Sequence, residues 1–534
     1  MNSEYYHDDC ENLGLEVIQN CLINENIGAE ILQIEYKNIE SIDMNSIINK
    51  ILKHNPSILG MPIYYNNLKI SAEIAELLKK ENENIHIVLG GSLVTQAPLE
   101  VMKFSKFFDL GIIGEGEVTF TELVKYIERG NSLEKCAGIV WRNGEELVIN
   151  EYRKCINELD AFTSKCRDML TNTHLKIARI NTSRGCKGKC TFCTESRSFC
   201  KSDELSSWRG KSPTVVVDEI EHIKSRYKIN NYVIIDNSYE DSVNNGKERI
   251  AEISKQLIER DLNIYYKVLF RAESFSNEDK DLLNLLKKSG LINVFLGVES
   301  GCEDTLKLFG KRARLKDILT SINLFGELGI PTSVGFIMFH PYSTLKEART
   351  NLSFIKKINK GDRFYIYTSR LMLFHGAPLL EKISKDGLLS SDFSITNPFG
   401  YIIEDENARW LANEMSKLET HFNKIKEIHK IRTYCDYIEQ IVTKMEIKSM
   451  YFQDQKILKD LSNNVRLKFS NIYYDIFDVA IRMAEESKNS NDLMKYINCS
   501  IDLNLLQREL KNLKIGIFRT IKNNKDLTEK LGII

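Results

Sequence analysis

The sequence predicts an α/β protein with three successive parts: an open α/β domain, a partial α/β barrel and an all-helical C-terminal domain. Three observations lead to this prediction. Short apolar strands alternate with amphipathic helices up to about residue 160, six further strand-and-helix units follow up to about residue 385, and strand patterns stop at about residue 390. A chain of 534 residues is also too long for a single core, and its length favours about three domains.

Residues 1–160 carry the first alternation. Apolar strands are predicted at residues 57–60, 85–89 and 111–113, with helical patterns between them. Alternation of this kind is typical of parallel strands joined by crossover helices, as in a Rossmann-like domain. A hairpin is predicted around Asn143-Gly144, because both turn residues tolerate positive φ.

Residues 172–385 carry the barrel pattern. Its six strands are predicted at residues 178–182, 231–236, 264–270, 293–297, 331–338 and 364–373. Polar residues that directly follow these strands are candidate site residues, because α/β barrels place their chemistry at the carboxyl ends of strands. Long helical patterns over residues 390–534 then predict the helical domain.

Composition narrows the class of protein. Hydrophobic residues make up 43% and charged residues 28% of the chain, as in soluble globular proteins. A formal net charge of −1 argues against nucleic acid as a partner. Neither a signal peptide nor a membrane-spanning apolar run is recognisable. We therefore expect a cytoplasmic protein without membrane contact, whose 12 cysteines are metal ligands or core thiols rather than disulfides.

Three cysteines stand close together directly after the first predicted barrel strand. Cys186, Cys190 and Cys193 have the spacing C-x3-C-x2-C. Three thiolates on one loop can ligate three irons of a [4Fe–4S] cluster and leave the fourth iron open. A zinc site completed by Cys200 is the competing interpretation, although structural zinc usually has two C-x2-C-like pairs, which this sequence lacks.

The segment Cys186-Lys-Gly-Lys-Cys-Thr-Phe-Cys193 resembles the cluster motif of the radical S-adenosylmethionine (SAM) superfamily, and further matches extend over residues 176–382. The resemblance implies a radical SAM barrel whose cluster reductively cleaves SAM to a 5′-deoxyadenosyl radical. It also implies cofactor contacts for residues at the strand ends, namely Phe192, Asp236, Asn237, Arg271, Glu299, Ser300, Gly335 and Ile337.

Within this resemblance, Phe192 would lie near the adenine, and the pair Asp236-Asn237 would receive the methionyl amino group. Glu299 would face the ribose or methionyl end. Phe339 departs from the family pattern, because it occupies the position of a glycine in the adenine-binding strand. His340 and His375 are expected to have structural roles, with His340 the better candidate for the active site.

Residues 1–160 resemble the cobalamin-binding domain that precedes many radical SAM domains, through Val88–Thr95 and Asp109–Glu117. The resemblance implies cobalamin contacts for Gly90, Gly91, Thr95, Gly114 and Glu115; each glycine segment alone is more typical of an ordinary strand-to-helix turn. Two features depart from the family. The D-x-H-x-x-G motif is missing, and so is the first strand ahead of the helix near residues 13–22. Cobalamin is thus expected only if the shortened domain still holds it.

Together the resemblances imply a radical SAM enzyme. The favoured function is a cobalamin-dependent methyltransferase acting on an unactivated carbon of a peptide or secondary metabolite. Its partners would be a small-molecule or peptide substrate and an electron donor such as flavodoxin or ferredoxin. A radical SAM cyclase, rearrangement or oxidative enzyme without methyl transfer is one alternative, and a zinc-bearing binding protein is another. The helical domain would cover the barrel mouth and bind the substrate.

Overall fold

The computed structural model describes residues 11–34, 43–163, 167–171, 175–195, 208–240, 246–448, 453–486 and 488–523. These residues form an N-terminal α/β domain, a central parallel sheet surrounded by helices, and a C-terminal set of helices. The predicted fold class is therefore confirmed. Within the described part of the chain, no helix is both long and apolar enough to span a membrane.

The N-terminal domain is a five-stranded sheet with the order β1-β2-β3-β4-β5. Its strands are β1 Ile58–Pro62, β2 His86–Gly90, β3 Leu110–Ile112, β4 Ile139–Asn143 and β5 Glu146–Ile149. The first three strands are parallel, and the last two continue as the predicted antiparallel hairpin. Its helices are α1 Leu13–Asn24, α2 Met44–Lys53, α3 Leu68–Glu81, α4 Ser92–Gln96, α5 Pro98–Phe104 and α6 Gly116–Glu128. The absence of a first strand was predicted for the segment ahead of α1. Residues 1–10 of that segment lie outside the described ranges.

The barrel consists of five parallel strands and an attached hairpin. In chain order they are β6 Ile177–Ile180, β7 Ser183–Gly185, β8 Trp208–Gly210, β9 Asn231–Ile234, β10 Tyr265–Arg271, β11 Leu291–Glu299 and β12 Thr332–Phe336. The main sheet has the order β6-β9-β10-β11-β12, and β7 pairs with β8. The helices are α7 Pro213–Tyr227, α8 Gly246–Glu259, α9 Lys280–Lys288, α10 Glu303–Leu308, α11 Leu315–Glu327 and α12 Leu345–Ile358.

The sixth predicted strand, over residues 364–373, is largely absent. This stretch begins with the short helix α13 Tyr365–Thr368, and an isolated bridge then joins Arg370 to Phe339, just beyond the end of β12. Its aromatic side chains pack against the C-terminal helices instead, with the Phe364 ring centroid 4.3 Å from that of Phe422. Tertiary packing has overridden the β-strand pattern, and the barrel remains partial.

The remaining helices are α14 Pro378–Lys385, α15 Glu406–Asn423, α16 Lys426–Ile447, α17 Gln453–Glu486, α18 Ser490–Ser500 and α19 Leu503–Asn523. Short 3-10 turns lie at Leu133–Lys135, Leu159–Ala161, Asp168–Thr171 and Asn277–Asp279. Capping side chains mark several helix starts. Asp405 accepts hydrogen bonds from the N–H groups of Asn407 and Ala408, and Thr344 accepts one from Glu347; such a cap stabilises a helix by about 1 kcal/mol.

Helix α16 docks at the amino ends of the barrel strands. Lys444 donates a hydrogen bond of 2.8 Å to Asn231, the first residue of β9, and lies 4.4 Å from the ring centroid of Tyr265, the first residue of β10. At the carboxyl ends of the barrel strands, residues 388–404 make the contact instead. There the Glu404 N–H donates to the carbonyl of Pro341 at 2.9 Å. The expectation that the helical domain covers the mouth is thus wrong for α16.

A buried cluster of ion pairs covers the free edge of β6. Arg167 donates to Glu11 at 2.8 Å, to Glu219 at 2.6 Å and to the carbonyl of Arg179 at 3.1 Å, while Glu11 accepts the N–H of Arg179 at 2.8 Å. Side chains thereby replace a neighbouring strand at this edge. Since Glu11 precedes α1 and Glu219 lies on α7, the cluster also joins the first two domains.

The cysteines outside the triplet follow the prediction in part. Cys136 and Cys435 are buried thiols. Cys155 is disulfide-bonded, contrary to the expectation of reduced thiols, and its partner is not among the described residues. Cys200, the proposed fourth zinc ligand, also lies outside them.

Candidate active site

The three clustered cysteines lie on the loop that follows β7. Gly185 has φ +82°, a conformation that favours glycine, and it turns the chain from β7 into this loop. A Cβ on Gly188 would lie 3.2 Å from Sγ of Cys186 and 3.9 Å from Sγ of Cys190. Two of the three thiols therefore converge over one glycine.

The donor chemistry of this loop fits an iron–sulfur cluster. Among the described residues, no group of three His, Cys, Asp or Glu side chains could hold a single metal ion. Thiols that ligate separate irons of one cluster do not need to meet at a single point. Burial raises the pKa of Cys193 to about 12, so this thiol requires a positively charged partner to ionise near neutral pH.

The middle of the loop is fixed to the barrel. The N–H of Thr191 donates to the carbonyl of Phe309 at 2.8 Å, and its hydroxyl donates to the carbonyl of Leu308 at 2.7 Å. The Phe192 ring contacts the Phe309 ring at a centroid distance of 5.1 Å. Phe192 is therefore held beside the cysteines, and its contact with an adenine remains a prediction.

His340 supports this region from within the protein. It is buried, its ring lies 5.3 Å from that of Phe309, and Nε2 is 3.0 Å from the carboxylate of Glu347. The N–H of Tyr342 donates to Nδ1 at 3.3 Å, which assigns the ring proton to Nε2. These contacts give His340 the structural role favoured for it. Phe339, the departure from the family pattern, is buried too, and its ring lies 6.4 Å from that of Phe477 on α17.

Charged side chains at the ends of β10 and β11, together with Lys311 in the loop after α10, act on Cys190. Burial raises the pKa of this thiol, Lys311 and Arg271 act to lower it, and Glu299 and Glu273 act to raise it. One oxygen of Glu273, Oε2, is buried without a hydrogen-bond partner among the described residues. A buried polar atom of this kind is typical of a site that receives a polar ligand.

Glu299 has the most constrained backbone in this group. Its φ is +70°, which is rare for a residue other than glycine and is associated with functional sites. Lys311 lies 3.9 Å from its carboxylate and donates to the carbonyl of Gly297. A Cβ on Gly297 would lie 2.9 Å from the Glu299 carboxylate, and one on Gly335 would lie 3.6 Å from it. Both glycines therefore leave space for this side chain, and the N–H of Ile337 donates to its backbone carbonyl at 2.8 Å.

The pair Asp236-Asn237 is divided between two environments. Asp236 is buried and accepts hydrogen bonds from the N–H of Thr182 at 2.7 Å, its hydroxyl at 2.5 Å and the hydroxyl of Ser183 at 2.6 Å. These contacts use both carboxylate oxygens to hold the start of the cysteine loop, so they do not support the predicted contact with a methionyl amine. Asn237 instead lines a cavity and donates to Glu195 at 2.8 Å.

Ser300 and Thr95 are also supporting residues rather than exposed contacts. Ser300 is fully buried and donates to Asn351 on α12 at 3.0 Å. Thr95 is fully buried, donates to the carbonyl of Gly91 at 3.2 Å and accepts the N–H of Gly114 at 3.0 Å. Thr95 therefore ties together two glycine-containing turns, although the resemblance assigned it to cofactor contact.

A cavity of about 400 Å³ lies between the N-terminal domain and the barrel. Its upper wall contains residues that follow β1, β2 and β3, including the predicted Gly90, Gly91, Gly114 and Glu115. Its lower wall contains Asn181, Arg184, Glu195, Ile235 and Asn237 of the barrel. Gly91 has φ +94°, and a Cβ there would lie 3.1 Å from the carbonyl oxygen of Ile63. Glycine at 91 therefore permits this close backbone contact at the turn. A Cβ on Gly90 would have nothing within 4 Å, so this part of the wall is open to a flat ligand.

Glu115 lines this cavity but is held by arginines. It accepts hydrogen bonds from Arg184 at 2.9 Å, from Arg209 at 2.9 and 3.0 Å, and from the N–H of Ile156 at 2.7 Å. Burial alone would raise the pKa of Glu115, but the hydrogen bonds from Arg209 and the charge of Arg184 hold it below its ordinary value. Its carboxylate therefore joins the two domains, in addition to any contact with a cofactor.

Comparison with protein families agrees with this geometry. Residues 180–355 match the radical SAM superfamily, and residues 4–124 match the B12 binding domain. The chain is a radical SAM enzyme with a B12-binding domain. A radical SAM domain uses a [4Fe–4S] cluster and SAM, and a B12-binding domain takes cobalamin. The predicted cofactors, including cobalamin, are thereby supported, and the thiols and the glycine-lined cavity fit them.

Known relatives of this radical SAM enzyme vary in activity. It is 26% identical over 325 residues to an uncharacterised methyltransferase of Pyrococcus horikoshii, covering 60% of this chain and 68% of the relative. It is also 26% identical over 363 residues to 4′-phospho-dehydrooxetanocin synthase of Priestia megaterium, covering 61% of this chain and 48% of that one. The chain thus spans about half of the synthase.

A solved structure shares the whole architecture. The cobalamin-dependent SAM radical enzyme OxsB, with aqua-cobalamin and SAM bound, superposes with a TM-score of 0.70 over 98% of this chain and 81% of that one, at 18% identity. This similarity shows that the two proteins share their fold.

Three residues of the site were not anticipated from the sequence. Arg184 and Glu195 flank the cysteine triplet, so their position in the chain was a usable signal. Lys311 lies 118 residues after Cys193, and nothing in the local sequence connects it with Glu299.

Proposed function

We propose that this radical SAM enzyme is a cobalamin-dependent methyltransferase that acts on an unactivated carbon of a small metabolite or peptide. One observation carries the proposal: a single cavity is bounded by the glycine turns of the B12-binding domain and by Glu195 and Asn237 beside the cysteine loop. A substrate in this cavity would face both cofactor sites at once, as methyl transfer to carbon requires.

When bound, the cluster supplies the electron that cleaves SAM and cobalamin supplies a methyl group. The chain's own residues hold and orient the reactants. Cys186, Cys190 and Cys193 would hold the irons, and Glu299 with Lys311 would orient SAM beside them. Ile235, which is 39% exposed and lies on the cavity wall, would contribute to excluding water.

The partners expected from the sequence complete the proposal. An electron donor such as flavodoxin or ferredoxin would reduce the cluster, and the substrate would be a small molecule or a peptide. A formal net charge of −1 supports a substrate other than nucleic acid.

A radical enzyme that does not methylate its substrate is the second candidate. Its support is the similarity to a synthase, 4′-phospho-dehydrooxetanocin synthase, over 61% of this chain. Both candidates share cluster and SAM chemistry, so they differ in the fate of the methyl group.

The experiment uses the full chain reconstituted anaerobically with iron, sulfide and cobalamin. It is incubated with a reductant and with SAM that carries a deuterated methyl group. We expect 5′-deoxyadenosine, S-adenosylhomocysteine and label in the corrinoid fraction, whereas a Cys190→Ser variant should form no 5′-deoxyadenosine. Formation of 5′-deoxyadenosine with no S-adenosylhomocysteine and no labelled corrinoid would select the second candidate, and the absence of all products would overturn both.

A further inference from the structure

Side chains of the B12-binding domain contact both ends of the cluster loop, which comprises residues 185–194. Ahead of the loop, Arg184 donates to Glu115 at 2.9 Å and also to Glu117. At its end, Thr194 accepts a hydrogen bond of 2.9 Å from the side-chain amide of Gln96. The segment that bears the cysteines is therefore held on each side by a side chain from the other domain.

The contact of Arg184 with Glu115 is the stronger of the two, because it is charged and belongs to a largely buried cluster. Arg209 on β8 donates to both oxygens of Glu115, and β8 pairs with β7, which carries Arg184. The side chains of Glu115 and Arg209 are each only 8% exposed. Replacing Glu115 by an uncharged residue leaves two guanidinium groups without their shared anion, which disturbs the hairpin that leads into the loop.

Both contacts start from the turns that line the cobalamin cavity. Glu115 lies between Gly114 and Gly116, and Gln96 ends helix α4, which begins directly after Gly91. Thr95 connects these turns by its hydrogen bonds to the carbonyl of Gly91 and the N–H of Gly114. A ligand that orders the two turns also orders the side chains that hold the loop.

We infer that occupancy of the cobalamin cavity and retention of the iron–sulfur cluster are energetically coupled through Glu115 and Gln96. These two residues are positioning residues for the cluster loop. Because such coupling is reciprocal, bound cobalamin stabilises the bound cluster, and the cluster tightens binding of cobalamin. Stabilisation of the bound cluster is expected to slow its loss. The inference rests on the cofactors of the proposed function but does not require methyl transfer.

The test measures loss of the cluster to an iron chelator under anaerobic conditions, followed by the visible absorbance of the cluster, with and without added cobalamin. For the native chain we expect cobalamin to slow the loss about fivefold or more, the lower end of typical coupling. In Glu115→Gln and Gln96→Leu variants the slowing should fall to less than about twofold.

Two further variants make the result specific. Glu122 lies on the same helix α6 and makes a partly buried contact with Arg153 that does not involve the cluster loop. The Glu122→Gln variant should therefore retain the full effect of cobalamin. Thr194→Val breaks the second contact from the loop side and leaves the B12-binding domain intact, so it should reduce the effect even if Glu115→Gln does not fold. Circular dichroism reports whether each variant is folded.

The reciprocal measurement is the affinity for cobalamin with and without the cluster. We expect cobalamin to bind more weakly to a Cys190→Ser variant than to the loaded chain, because equilibrium coupling acts in both directions. No effect of cobalamin on the native chain, or an equal effect in every folded variant, would overturn the inference. Neither outcome depends on product formation, so a failure of the proposed methyl transfer remains distinguishable.

Discussion

Asn237 donates a 2.8 Å hydrogen bond to Glu195, and both side chains line the cavity between the B12-binding domain and the barrel. Burial raises the pKa of Glu195, and the hydrogen bond from Asn237 opposes that rise. Asn237 follows the end of β9, whereas Glu195 follows the last cysteine of the triplet. This pair therefore connects the cluster loop with the end of β9 at the cavity.

Glu195→Ala should lower SAM cleavage and leave the cluster in place. Loss of the carboxyl group removes the hydrogen bond with Asn237, and the expected decrease in 5′-deoxyadenosine formation is about tenfold. The iron content per chain should match that of the native chain. Asp304→Asn, at a side chain that is 90% exposed, is the control and should change neither value. An unchanged rate in Glu195→Ala would remove this residue from the site.

Lys311→Met should weaken binding of SAM. Its ammonium group lies beside Glu299 and Cys190, and the loss of one charged contact is expected to raise the dissociation constant about tenfold. Equilibrium dialysis against the cluster-loaded chain measures this constant. Lys307→Met, at a side chain that is 74% exposed, should bind SAM as the native chain does. Equal affinities in both variants would contradict the assignment.

Gly335→Ala should destabilise the barrel near Glu299. The new methyl group would lie 2.9 Å from the ring of Phe295 and 3.6 Å from the Glu299 carboxylate, so one of them must move. We expect a loss of about 1–3 kcal/mol, visible as a lower Tm. Gly326→Ala, in helix α11 where a Cβ has nothing within 4 Å, should instead raise stability by about 0.5–1 kcal/mol. The opposite order of the two Tm values would disprove this description.

Glu16 should make stability depend on pH. Burial raises its pKa to about 7 from the ordinary value of 4.5, and the charge of Arg167 opposes that rise. The folded chain therefore binds a proton more tightly than the unfolded chain, and this contribution to stability is lost as pH rises from about 4.5 to about 7. A Glu16→Gln variant should gain stability relative to the native chain over that interval, measured by urea unfolding. A constant difference across the interval would show that Glu16 does not titrate there.

Metal content should separate the cluster from zinc. The anaerobically purified chain should contain iron and sulfide at about four each, and Cys186→Ala should lose both. Cys435→Ala removes a buried thiol of α16 and should keep them. Stoichiometric zinc without iron after reconstitution would favour the zinc-bearing binding protein.

The sequence alone was sufficient to locate the features that depend on local spacing. Three thiols within eight residues can reach one cluster whatever the rest of the chain does, so Cys186, Cys190 and Cys193 were recognisable. The glycines at 90, 91 and 114 were recognisable for a similar reason, because a glycine directly after a strand acts through its own backbone. The alternation of strands and helices likewise predicted the fold class.

Only the tertiary structure decided where individual side chains point. Asp236 follows a strand as predicted, yet neighbouring donors at Thr182 and Ser183 draw its carboxylate into the interior. The first half of the predicted sixth strand forms a short helix instead, where Phe364 packs against Phe422, which is distant in sequence. Arg184 and Glu115 are 69 residues apart, and their contact exists only because two domains meet there. A backbone pattern is local and can be read along the chain, whereas the partner of a side chain is set by packing between segments that the sequence does not bring together.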